Sequence, residues 1–195
     1  MKKTHDLILS LVKKPSRYLG SEWNVRNQDT ERCRIRVALV FPDLYEIAMS
    51  NQAVRILYQL LNDIPGIHAE RCFSPAPDFR KGLAQIGKPL FSLENGIPLG
   101  DFDTLAVTIG YELAYTNLLS LLECGAVPVN RKERRTHHPL IIAGGPAVTN
   151  PAPWQNVVDA VFIGEAEASL TDIILELKAI RDGGGRRETV LRKLS

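Results

Sequence analysis

Apolar runs and amphipathic runs alternate along this chain from Arg34 onward. Arg34 to Phe41 (RIRVALVF) is β-branched and almost continuously apolar, as expected of a parallel strand covered on both faces. In NQAVRILYQLLND, by contrast, Val54, Leu57, Tyr58 and Leu61 recur at helical spacing, and the helix is expected to begin at about Ser50. Pro65-Gly66 breaks the chain, and IHAERCFS reads as a second strand. A stretch punctuated by proline and glycine follows from Pro75 to Pro98, with a short helix near Asp78 to Ile86. The third strand is Phe102 to Gly110 (FDTLAVTIG), and its helix YTNLLSLLECG closes on Gly125 at the C-cap. Pro139 to Gly145 (PLIIAGG) and Val157 to Gly164 (VVDAVFIG) give strands four and five. The helix after strand five has Glu165 and Glu167 at its start and glycines at its end.

This alternation predicts an α/β fold: a flavodoxin-like, doubly wound parallel sheet of five strands in the order 2-1-3-4-5. The expected boundaries are an N-terminal helical or extended segment (1–33), the α/β domain (34–181), and the start of a linker or helix (182–195). RRETVLRKLS reads as a further helix without a terminator, so we expect the chain to be the front of a longer polypeptide. Near the start, Leu7 to Val12 is too short for a signal peptide core, and Lys13-Lys14-Pro15 replaces a cleavage site; a short amphipathic helix is expected.

Ligands of open α/β sheets bind beyond the carboxyl ends of the strands, beside the point where strand order reverses. Four loops meet that condition: PDLYEIAMSN, TIGYELAYTN, AGGPAVTNPAPW and IGEAEAS. Their candidate binding residues are Asp43, Tyr45, Glu46, Ser50, Thr108, Gly110, Tyr111, Glu112, Gly144, Gly145, Pro146, Gly164 and Glu165. Structural roles compete at each position. Asp43 and Ser50 can bond loop and helix-start amides. Gly144-Gly145 can supply a positive φ or a close backbone approach. Glu165 and Glu167 can face a helix N-terminus. The repeated pairs Tyr45-Glu46 and Tyr111-Glu112 suggest a shared rim.

Composition narrows the chemistry. A net charge of +2 gives no reason to expect nucleic acid, and no run approaches the length of a membrane span. Cys33, Cys72 and Cys124 are scattered, which suggests a reducing cytoplasm and offers neither a CxxxCxxC cluster nor a zinc ribbon. His137-His138 lies in a basic connection and has no ligand partner at suitable spacing. No phosphate loop, GxGxxG or nucleophile elbow is present, so no catalytic residue is assigned.

RYLGSEWN, VALVFPDLYEIAMSN, PLFSLEN, DFDTLAVTIGYELAYTNLLSLL, PLIIAGGPAVTNPAP and VDAVFIGEAEAS together resemble the N-terminal region of B12-binding-domain radical SAM proteins, in the subfamily that opens with an RYLG-type segment. The resemblance implies a cobalamin-binding-type domain placed before a radical SAM barrel, with the [4Fe–4S] cluster and S-adenosylmethionine confined to that barrel. It also implies the barrel as intramolecular partner and no turnover by this segment alone. The family's DxHxxG reads here as Asp43-Leu44-Tyr45-Glu46-Ile47-Ala48, its SxL as Thr108-Ile109-Gly110, and its GG as Gly144-Gly145. Tyr45 stands where the cobalt-ligating histidine belongs. Any cobalamin is therefore expected to lack a histidine lower ligand, with Tyr45 packed beneath it. The alternative is a cofactor-free scaffold or interaction module that docks the barrel or a partner protein.

Overall fold

The computed structural model describes residues 7–26 and 33–183, together with Thr189 and Arg192. Its strands are β1 (Ile35–Phe41), β2 (Ile67–Phe73), β3 (Thr104–Thr108), β4 (Leu140–Gly144) and β5 (Ala160–Val161). Its helices are α1 (Tyr45–Ser50), α2 (Gln52–Asn62), α3 (Pro77–Gln85), α4 (Ala114–Cys124) and α5 (Ala166–Asp182). All strand pairs are parallel, in the order β2-β1-β3-β4-β5, as the alternation predicts.

Strand alternation divides the core between two faces. Ala38 and Val40 of β1 pack with Phe79 and Leu83 of α3 and with Leu118, Leu121 and Leu122 of α4. Val37 and Leu39 point the other way, into a cluster with Leu57, Tyr58 and Leu61 of α2 and Leu170 and Ile174 of α5. Both faces are thus covered, which explains why β1 is apolar throughout.

Two local expectations are corrected. The chain turns helical at Tyr45, not at Ser50; α1 is a six-residue helix, and α2 begins only after a break at Asn51. Asn51 caps α2 by accepting a hydrogen bond from the Val54 amide, while the Ser50 hydroxyl donates to the Ile47 carbonyl. Strand five shrinks to Ala160–Val161, because Val158 turns into the core and Asp159 accepts the Ile141 amide through its side chain. At the end of α4, Gly125 is the C-cap, as expected, with a φ of −80°, and Ala126 takes the left-handed position with a φ of 54°. Glycine is required at 125 by space, since a Cβ there would lie 2.6 Å from the Leu99 side chain. The tail helix expected over 186–195 falls outside the described residues apart from Thr189 and Arg192.

The N-terminal segment runs along the β2 side of the sheet. Residues 7–9 are helical and amphipathic, with Ile8 buried and Leu7 exposed. Tyr18 stacks on Phe79 at 3.7 Å between ring centroids, and its hydroxyl accepts the Ala76 amide. Gly20, at a φ of +57°, lies so close to the Leu93 carbonyl that a Cβ would come within 2.2 Å of its oxygen. The Arg26 amide donates to the Tyr58 hydroxyl, and the Arg26 guanidinium pairs with Asp63 at 2.8 Å. RYLGSEWN is therefore a strap over the sheet edge.

Candidate functional site

The order reversal between β1 and β3 is spanned by one side-chain contact. Asp43, just past β1, is buried; one of its carboxylate oxygens accepts the Leu44 amide at 2.7 Å. The other accepts the hydroxyl of Tyr111, from the loop after β3. Asp43 beside it pushes the Tyr111 phenol up from its ordinary value. Two candidates distant in sequence thus meet across the reversal point.

Tyr45 and Glu46 turn away from it. The Tyr45 ring meets Phe73 edge to face, and its hydroxyl donates to Glu22 of the strap at 2.8 Å. Burial and the Glu22 carboxylate push this phenol up to about 12. Glu46 is exposed and pairs with Arg17 at 2.8 Å and Lys14 at 3.3 Å. The hydrogen bond from Arg17 holds its carboxyl below the usual range. The two Tyr-Glu pairs therefore do different work: one anchors the strap, the other belongs to the rim.

The remaining candidates line the ends of β3, β4 and β5. Thr108 pairs in register with Gly144, the last residue of β4. Gly145 has a φ of +105°, and a Cβ there would sit 2.6 Å from the Ile109 carbonyl oxygen. The tight approach of the β3 and β4 ends accounts for that glycine. Pro146 opens a 3-10 turn, and the Ala147 carbonyl at its centre accepts the Tyr115 hydroxyl. Gly110 is half-buried, with room for a Cβ at 3.9 Å from Phe41. Gly164 has a φ of +134° and open space around it, and Glu165 beside it is exposed. Ser50 is exposed at the end of α1, away from these glycines in sequence.

The rim also carries apolar side chains that the core does not take up. Leu113 is 82% exposed and Ile163 71%, with Ile47, Tyr111 and Glu112 exposed alongside. These positions follow β1, β3 and β5, so they share the carboxyl end of one parallel sheet.

A cobalamin with a protein lower ligand does not fit these residues. The group at the lower-ligand position is a phenol already bonded to a carboxylate, and protonated up to about 12 it is a poor cobalt donor. Among the described residues, no group of three or more His, Cys, Asp or Glu side chains could hold a metal ion, and no helix is long and apolar enough to cross a membrane.

A polar cluster at β2 escaped the sequence reading. His68, Glu70 and Arg71 are all fully buried on this edge strand. His68 Nε2 lies 2.5 Å from Glu70, whose second oxygen accepts the Ser92 hydroxyl at 2.5 Å and the Asn95 amide at 3.0 Å. Burial alone would raise the Glu70 carboxyl, but hydrogen bonds from His68, Ser92 and Asn95 outweigh it and hold the group below its ordinary value. On the opposite face Arg71 pairs with Glu94 at 2.5 Å and with Glu22 at 3.0 Å, stacked 4.6 Å from the centre of the Tyr58 ring. Burial pushes the Glu94 carboxyl up to about 7, only partly offset by Arg71. The available signal was a strand with charged residues on both faces; their partners lie far away in FSLEN and in the strap. Bonded to one another except at the buried His68 Nδ1, these groups join the strand to the strap and to FSLEN, with Asn95 exposed at the outer end.

No curated protein matches the chain. A family model described as radical SAM proteins, N-terminal, matches residues 53–195. The match starts inside α2 and takes in β2 to β5, including the rim after β3, β4 and β5. By that match over most of its length, the chain belongs to the family of N-terminal regions of radical SAM proteins.

Proposed function

We propose that this is a cofactor-free capping domain whose strand-end face docks a radical SAM domain of the same polypeptide. The observation that carries this reading is the state of the strand ends. Their two tyrosine hydroxyls are taken up internally, Tyr111 by Asp43 and Tyr45 by Glu22, while Ile47, Leu113 and Ile163 stay exposed. A crevice built for a small polar ligand needs the reverse, convergent polar groups over an apolar hollow. Apolar groups on a rim beside the strand ends fit a protein surface. Family membership supports the partner: the [4Fe–4S] cluster and S-adenosylmethionine belong to the radical SAM domain, and this chain contributes shape and cover, without turnover of its own.

Presentation of cobalamin without a protein lower ligand is the second reading, favoured by the open space at Gly164 and the room at Gly110. Two measurements on the full-length protein separate them. Leu113→Cys should react with a maleimide far more slowly in the native protein than after denaturation; equally fast labelling overturns docking. After incubation with hydroxocobalamin and desalting, the visible spectrum should show no corrin; retention of near one equivalent overturns the cofactor-free reading.

A further inference from the structure

The strand-end loops are lopsided in charge. The chain has 24 Lys and Arg residues and 4 His. None lies in residues 42–51, 74–79, 109–117, 145–154 or 162–169, the segments that leave the carboxyl ends of the strands. The same segments contain Asp43, Glu46, Asp78, Glu112, Glu165 and Glu167. Some of these are answered within the chain: Asp43 by Tyr111, Glu46 by Arg17 and Lys14, and Asp78 by the Lys13 amide. Glu112, Glu165 and Glu167 are exposed, interleaved with Leu113 and Ile163. At the other end of the sheet the connection into β4 carries Arg131, Lys132, Arg135 and His137, all exposed.

From this we infer that the rim selects one kind of surface: basic side chains framing an apolar patch, supplied by the radical SAM domain, with Leu113 and Ile163 as anchors and Glu112 and Glu165 as charged contacts. The inference rests on the docking reading above and adds the chemistry of the partner. Apolar anchors supply affinity at such a contact, and complementary charge fixes orientation and excludes wrong partners. The cations that reach these segments, Arg17 and Lys14, come from the strap and are engaged at Glu46, so the exposed Glu112, Glu165 and Glu167 set the local sign and disfavour an acidic face. Geometry permits the contact. α5 runs from the rim to the opposite end, where Lys178 meets Asp103 beside the start of β3. Its 17 residues span roughly 25 Å. Residues 183–195 can reach at most about 43 Å, so a domain that follows them can return to the rim.

Hydrogen exchange on the full-length protein tests this through the amides of residues 109–117 and 162–169. In wild type these loops should be protected. Glu112→Lys/Glu165→Lys should raise their exchange roughly tenfold or more, since like charges at a close contact cost several kcal/mol. Leu113→Asp should do the same, while Glu133→Lys at the far end should change nothing. Unchanged exchange in the core amides of β1 and β3 confirms that each variant is folded. Protection that survives charge reversal but is lost in Leu113→Asp overturns the basic partner and leaves docking intact. Loops that exchange freely in wild type overturn both. Protection that depends on protein concentration also overturns the inference, because it assigns the rim to a second copy of the chain.

Discussion

The β2 edge and the strand-end rim reverse the usual distribution of residues in opposite ways. At β2, His68, Glu70 and Arg71 are buried, and their polar groups are met by one another and by Ser92, Glu94, Asn95 and Glu22. At the rim, Leu113 and Ile163 are exposed with no core to receive them. The difference lies in what answers the unusual residues. Buried charge survives where it is paired and hydrogen-bonded, and Glu70 and Arg71 are so held by residues of their own chain. Exposed apolar side chains occur on the strap too, at Leu19 and Trp23, but at the rim Leu113 and Ile163 lie among the strand-end loops, which is where the proposed docking places a second surface.

The comparison breaks most severely at Arg71. Arg71→Ala strands Glu94 in the interior and should cost about 3–5 kcal/mol, read from the urea midpoint. A smaller cost, below about 1 kcal/mol, would mean that the network is not needed to close the edge.

A pH series sharpens the same side. The folded-state value of Glu94, about 7, lies above its ordinary 4.5, so the folded protein holds that proton more tightly than the unfolded chain. The resulting stability is full below pH 4.5 and is lost as pH rises through about 7. Relative to Glu94→Gln, wild type should lose on the order of 2 kcal/mol between pH 5 and 8. Parallel pH curves for the two proteins would remove the assignment.

At the rim the effects are smaller. Tyr111→Phe leaves Asp43 short of one donor and should cost about 1 kcal/mol, with faster hydrogen exchange confined to the loops after β1 and β3. Leu113→Ser should change the stability of the chain by less than about 0.5 kcal/mol, because the side chain packs on nothing here. A larger loss in thermal melts would show that the rim is part of the core after all.

Legibility followed the same division. Strand order and the switch-point loops could be read because Val37 to Phe41 is continuously apolar and Val54, Leu57, Tyr58 and Leu61 keep helical period. The six residues of α1 were missed because a single position, Ala48, is fully buried there, too few to set a period. β5 was drawn too long because Val158 is apolar for the core rather than for the sheet. Among the site candidates, spacing placed Asp43 and Tyr111 near one reversal point but could not foretell their bond. Nor could it foretell that Tyr45 turns to Glu22, a residue of the strap 23 positions earlier. Contacts between β2 and FSLEN have no local signature at all.

The bonding along the outer side of β2 has a consequence for how this protein can associate. The Ala69 amide and carbonyl are both taken by the Asn62 side chain, the Arg71 amide by Glu94, and the Arg71 carbonyl by the Leu93 amide. A seven-residue edge strand would ordinarily be a template on which another chain could zip up, strand to strand. Here no free backbone rung remains between Ala69 and Arg71, and the opposite edge, β5, is only two residues long. Sheet growth is thus hindered at both margins once FSLEN is in place. The proposed docking at the rim therefore relies on side-chain surfaces rather than on extending the sheet.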